Sequence, residues 1–152
     1  MRNKLGFTLV ELLAVVVILT LLSGLSIGYY KRSVEQSRFS QGLNAASNLQ
    51  EAAQRFVDET AIEGIVYDFS KALTADMLDV QLPPNSFFQF VIVKGGDDGP
   101  EVYAYRGTAE SHTYFIRVTP KKVICKGSDG NLTFCQSLGY TACDKNGGCT
   151  KP

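Results

Sequence analysis

Apolar and polar positions divide this chain into three regimes. From Phe7 to Ile27, FTLVELLAVVVILTLLSGLSI, twenty-one residues carry a single charge, Glu11. That length matches the roughly 20 residues an α-helix needs to cross a bilayer. From Tyr29 to Thr60 the apolar positions spread out: Phe39, Leu43, Ala46, Leu49, Ala53, Phe56 and Val57 follow one another mostly at steps of three and four. This spacing predicts an amphipathic helix with one buried stripe. Nothing between Phe7 and Glu59 forbids one continuous helix, roughly 80 Å long at about 1.5 Å per residue.

The third regime starts near Ser86 and alternates. Phe87 to Val93, FFQFVIV, is rich in strand formers, and Lys94 to Pro100 is a Gly- and Asp-rich turn. Val102 to Tyr105, His112 to Thr119, and Val123 to Lys126 read as three further strands. The short links favour an antiparallel meander. Phe88, Phe90 and Ile92 share a face, as do Tyr114, Ile116 and Val118. One such face is expected to cover the helix stripe, since neither layer can bury its apolar side alone. Between the regimes, 61–84 is irregular. Gly64 ends the long helix, Thr74 to Leu78 forms a short helical turn, and Pro83-Pro84 breaks the chain. This connector reads as structural or interfacial, with no chemistry.

Charge adds little. The 152 residues hold 15 basic and 15 acidic side chains. No strongly basic surface is implied, which argues against general affinity for nucleic acid. Trp is absent, so seven Tyr and nine Phe must supply the aromatic part of the core. Arg2 and Lys4 precede the apolar run and Lys31 and Arg32 follow it. With the N-terminus on the cytoplasmic side, the first pair obeys the positive-inside trend and the second opposes it.

Glu11 is the costly residue, because a carboxylate within a lipid-facing helix is penalised by about 2.5–3.5 kcal/mol at the centre and less near the ends. Leu9, Val10, Leu12 and Leu13 offer it no side-chain partner, and Phe7, four residues earlier, shares its helix face. A cut between Gly6 and Phe7 creates an amine one turn from Glu11. On a neighbouring copy that amine can pair with the carboxylate and set register between subunits. A secretory signal or a plain anchor also has a basic start and an apolar centre. The former avoids an acid and ends in a small-residue site, for which Ser23-Gly24 and Ser26-Ile27-Gly28 are imperfect candidates. Neither accounts for the order Gly6-Phe7-Thr8-Leu9-Val10-Glu11.

That order, after a short basic leader and before an apolar run, resembles the class III signal of type IV prepilins and pseudopilins. The resemblance covers about the first thirty residues. It implies cleavage after Gly6 by a prepilin peptidase, N-methylation of Phe7, and a docking role for Glu11 in filament assembly. It implies an α+β pilin fold, with a long N-terminal helix on a C-terminal antiparallel sheet of about four strands. The expected layout is a leader at 1–6, a transmembrane and filament-core helix at 7–28, its amphipathic half at 29–60, the connector at 61–84, and a head at 85–152. Loss of the leader leaves 13 basic against 15 acidic side chains.

The function implied is that of a non-enzymatic structural subunit of a type IV pilus. It would sit in the bacterial inner membrane as a single-pass protein, then in an extracellular pilus or periplasmic pseudopilus. Its partners would be copies of itself, the peptidase, an inner-membrane platform and an assembly ATPase. No cofactor, metal or specific nucleic acid is implied. The alternatives are a pseudopilin or minor pilin of a type II secretion or DNA-uptake system and, outside the class, a membrane-anchored binding domain that never polymerises. Ser23, Gly24, Ser26 and Gly28 mark a soft segment without the proline that many type IV pilins place there. It either stretches in a filament or lets helices approach closely.

All four cysteines, Cys125, Cys135, Cys143 and Cys149, lie in the last 28 residues at spacings of ten, eight and six. No C-x-x-C is present, and an even count in an exported domain argues for two disulfides. Cys125–Cys135 with Cys143–Cys149 closes two local loops, and Cys125–Cys149 with Cys135–Cys143 is the rival. Asp97, Asp98 and Glu101 lack the spacing of a helix-loop-helix calcium site and read as turn formers. His112, the single histidine, reads as a surface or packing residue. Asn131-Leu132-Thr133 matches a glycosylation sequon by accident. Tyr29, Tyr30, Phe39 and Phe56 read as packing residues rather than an electron path.

Overall fold

A computed structural model describes residues 7–62, 78, 80–82, 87–95, 99–128, 132–144 and 146–152. The chain divides into two units, 1–37 and 38–152. The first helix, α1, is Leu9–Ile62. No proline interrupts it, and Gly24 and Gly28 are accommodated within it.

In the first unit the described residues are almost all helical, and the apolar side chains from Phe7 to Leu22 are exposed. Phe7 and Leu9 are 83% and 81% exposed, and Val10, Leu12, Leu13, Leu21 and Leu22 are likewise exposed. This stretch is long and apolar enough to cross a membrane, and none of it is buried within the chain. A Cβ added at Gly24 or Gly28 would meet nothing within 4 Å.

In the second unit α1 meets a sheet. Strands β1 (Phe88–Lys94), β2 (Pro100–Gly107), β3 (His112–Val118) and β4 (Val123–Gly127) form an antiparallel meander. Helix α2, Thr133–Ser137, is a single short turn, followed by β5 (Ala142–Cys143) and β6 (Cys149–Thr150). Among the described residues the sheet therefore has six strands, in the order β1-β2-β3-β4-β6-β5, where about four were expected. The added pair is a two-residue hairpin, too short to leave an alternating pattern. It is held by its turn, where Asp144 Oδ1 accepts the N–H groups of Asn146 and Gly148 and Gly147 takes φ +76°.

Register fixes which side chains meet the helix. Ile92 lies opposite Val102, which lies opposite Val118, and Phe90 lies opposite Ala104, which lies opposite Ile116. These residues join Phe39, Ala46, Leu49, Ala52 and Ala53 of α1 in one core, with Phe90 at its margin. Gly42 allows the close approach, since a Cβ there would stand 2.7 Å from the Phe88 ring. Phe39 packs against the rings of Tyr114, Phe134 and Tyr140 at centroid distances of 5.9, 6.1 and 5.7 Å.

The described part of the connector contributes to the core. Leu78 is buried in the core, and Val80 and Leu82 pack against it. Gly64, Thr74 to Met77 and Pro83-Pro84 lie outside the described residues. Glu51 and Arg55, spaced as a helical ion pair, are both exposed, where such a pair contributes little.

Candidate functional site

The start of α1 brings together two of the residues singled out above. Thr8 directly precedes the helix and Glu11 is its third residue. The Thr8 N–H donates to Glu11 Oε2 at 2.9 Å, and the Glu11 N–H donates to Thr8 Oγ1 at 3.3 Å. This is a reciprocal capping box, which satisfies two backbone donors that the first helical turn leaves unpaired. The Thr8 hydroxyl also donates to Glu11 Oε2 at 2.8 Å.

Two expectations change. Glu11 does have a side-chain partner, the hydroxyl three residues earlier. Phe7 precedes the helix, so its four-residue spacing to Glu11 does not place the two on one helical face. The S/T-x-x-E order was the signal for this cap. It was hidden because the same residues read as part of an apolar run. Gly6 and the rest of 1–6 lie outside the described residues, and Phe7 is exposed.

The cysteines form a second constellation. Cys125 of β4 is bonded to Cys135 of α2, and Cys143 of β5 to Cys149 of β6. Cys125, Cys135 and Cys149 are fully buried, whereas Cys143 is exposed. Cys149 also lies opposite Cys125 in the β4–β6 ladder, so both bonds meet at one point of the sheet. The two links tie an apolar-poor tail to the core.

The outer face of β2 and β3 carries a cluster that sequence reasoning missed. Arg117 donates to Glu101 through Nε and Nη2, at 2.6 and 2.7 Å. Its guanidinium carbon stands 5.6 Å from the Tyr103 ring centre. The bond to Glu101 holds the guanidinium's pKa above its ordinary value. Burial raises the phenol pKa values of Tyr103 and Tyr105. Glu101 is thus engaged by Arg117 through both carboxylate oxygens, and Asp97 and Asp98 lie outside the described residues. Glu101 and Arg117 stand sixteen apart, and only the register of β2 on β3 brings them together. His112 packs against Tyr105 and Phe115 at 5.0 and 5.6 Å. Asn131 of the sequon is outside the described residues.

Of these features, the helix start is the one that falls within a known sequence motif. Residues 1–27 match the family model of the prokaryotic N-terminal methylation motif. No curated protein and no solved structure matches the chain. The chain therefore carries the motif that marks the class III signal of type IV pilins and pseudopilins. A long helix followed by an antiparallel sheet gives it a pilin-like α+β architecture. The motif indicates a structural protein, and with the apolar helix it fits membrane anchoring and processing by a prepilin peptidase.

Proposed function

We propose that this chain is a structural subunit of a type IV pilus, held in the inner membrane as a precursor and then built into a helical filament. One observation carries the reading: the methylation motif heads a helix whose first stretch, 9–22, leaves its large apolar side chains exposed. Hydrolysis of the Gly6–Phe7 peptide bond frees the Phe7 amine, which then attacks an electrophilic methyl donor bound by the peptidase, taking its methyl group and losing a proton. A membrane platform and an assembly ATPase deliver the subunit to the filament base.

Assembly exchanges lipid for neighbouring helices around residues 7–28. Association rests on side-chain packing, because lipid tails are as apolar as leucine. Open space at Gly24 and Gly28 gives a second helix room to approach. Glu11 supplies register. In the free chain Thr8 satisfies its carboxylate, so the precursor does not carry a bare acid in lipid. In the filament the cationic amine of a neighbour's Phe7 is the stronger partner, since it brings a full opposite charge that the neutral Thr8 donors lack.

Mass analysis of the mature N-terminus tests this. The expected chain begins at Phe7 with a methyl group on its nitrogen. A mature chain that keeps its first six residues, or begins beyond Ile27, overturns the reading. Electron microscopy of sheared surface material then separates a long pilus from a short periplasmic pseudopilus.

A further inference from the structure

Three of the four cysteines stand in one row across the sheet. Cys125 of β4 lies opposite Cys149 of β6, and Cys149 lies opposite Cys143 of β5. Residues directly opposite in an antiparallel pair point to the same face, with Cα atoms about 4.5–5.5 Å apart. A disulfide spans about 4.4–6.8 Å between Cα atoms, so the Cys125–Cys149 spacing is one that a bond can bridge. Each of the two is nevertheless bonded elsewhere, Cys125 to Cys135 and Cys149 to Cys143. The row also has an outside and an inside. Cys143 is exposed, while Cys149, Cys125 and Cys135 are fully buried in one core cluster.

This order of access sets an order of chemistry. A dithiol reductant reaches the Cys143–Cys149 bond at Cys143 Sγ, because exchange depends on access to the sulfur attacked. Its first sulfur bonds to Cys143, and Cys149 leaves as a thiolate. Its second sulfur then attacks the first, which closes the reductant's own disulfide and releases Cys143 as a thiol. Cys149 now holds a free sulfur beside the Cys125–Cys135 bond, away from solvent. Attack of the Cys149 thiolate on Cys125 Sγ forms Cys125–Cys149 and breaks Cys125–Cys135. The electron pair goes to Cys135, which takes up a proton. The two bonds differ in the loop they close: Cys125 and Cys149 are 24 residues apart, Cys125 and Cys135 only 10. On the chain-entropy account of a cross-link, the longer loop favours the exchanged pairing by about fourfold.

We propose that the four cysteines form a two-electron relay: a dithiol reductant enters at Cys143, the bond migrates along the row to Cys125–Cys149, and the freed thiol appears at Cys135 of α2. The relay goes beyond the filament reading and does not depend on it. Its outcome is conformational. β6, which meets β4 at the Cys125–Cys149 pair, becomes stapled to the meander there. α2 loses its bond and is held by packing, with Phe134 against Phe39 of α1 and against Tyr114 at 6.1 and 4.7 Å. A redox signal at the exposed hairpin thereby loosens a buried element that touches α1.

The test uses the detergent-solubilised wild-type chain and one equivalent of dithiothreitol, at a pH near the ordinary thiol pKa of about 8.5. Samples are quenched at intervals in acidic urea with N-ethylmaleimide, which labels every thiol, and digested with trypsin without further reduction. Cleavage after Lys122, Lys126 and Lys145 leaves Cys125 and Cys149 on peptides of their own and Cys135 with Cys143 on a third. Early samples should carry label on the Cys149 peptide and a single label on the 127–145 peptide, still bonded to the Cys125 peptide. Later samples should show the Cys125 peptide bonded to the Cys149 peptide and the 127–145 peptide labelled twice, in about fourfold excess over the early species. Early label on the Cys125 peptide means that reduction enters at the buried bond, and it overturns the inference. So does an early species that persists as the major product, or a chain whose bonds the dithiol leaves intact. No variant is needed, so the folding of a mutant does not enter. None of these outcomes bears on the mature N-terminus, so the relay and the filament reading fail separately.

Discussion

Leu19 and Leu49 belong to the same helix and meet opposite surroundings. Leu19 is 56% exposed and Leu49 is fully buried. Both lie in helical backbone, so helix propensity does not separate them. Pattern does. Around Leu49 the apolar residues keep to one stripe, while Gln41, Asn44, Asn48 and Glu51 face solvent. Around Leu19 the helix is apolar on every side, and no rotation about its axis hides it from water. Complete burial of one large aliphatic side chain is worth about 1.5–3 kcal/mol. The second stretch recovers that within its own chain, from the sheet. The first must recover it from lipid or from other copies.

The largest expected effect tests the dependence of the first stretch on its neighbours. Glu11→Ala should reduce filament yield by more than about tenfold, because it removes the partner for a neighbour's amine and more than about 1.4 kcal/mol of coupling. The denaturation midpoint of the head should not move. Quantitative immunoblots of sheared filaments against total subunit read the first, and urea unfolding of the detergent-solubilised chain reads the second. Unchanged yield would favour an anchored, non-polymerising protein.

A paired truncation sharpens the contrast. Leu49→Ala should destabilise the head by about 2–5 kcal/mol, the range for emptying a well-packed leucine site. Leu19→Ala should leave head unfolding within about 0.5 kcal/mol of wild type, as for surface positions. Equal effects would mean that the first stretch is packed by something in its own chain.

The cysteines probe the head at smaller scale. Replacing Cys125 and Cys135 together by alanine should cost about 2–4 kcal/mol, the usual range for losing a disulfide. Replacing Cys143 and Cys149 should cost less, because that bond closes a loop of separation six rather than ten. Urea unfolding of the two double variants checks the order. Under a mild reductant, alkylation should reach Cys143, which is exposed, before Cys125 or Cys135.

What could be read from sequence follows the length of each pattern. α1 and the four longer strands repeat an apolar spacing often enough to be visible, as Phe88, Phe90 and Ile92 show. α2 and the β5–β6 hairpin have five and two residues per element, too few for any period, and owe their positions to disulfides and to the Asp144 turn. Leu78, Val80 and Leu82 looked like connector because the surrounding stretch has no sustained pattern. Glu101 and Arg117 meet only through tertiary register. At the helix start the residue types were legible and their geometry was not. Thr8 and Glu11 belong to the methylation motif and, at the same time, to a capping box that stabilises the helix before any neighbour arrives.

The smallest effect concerns alkaline pH and separates the two stretches once more. Burial holds the Tyr140 phenol above its ordinary pKa, which is about 10. The folded head therefore prefers the neutral phenol more strongly than the unfolded chain does. Its contribution is complete below pH of about 10 and is lost as pH rises through the folded-state value. Lys151 stands over the same ring. Tyr140→Phe isolates the phenol: it should flatten the fall in urea midpoint above pH of about 10 and leave the neutral-pH midpoint little changed. Residues 7–24 hold no tyrosine, so their helical signal in detergent should not follow this titration. If it does, the two stretches are energetically coupled, and the assignment of separate partners to each is wrong.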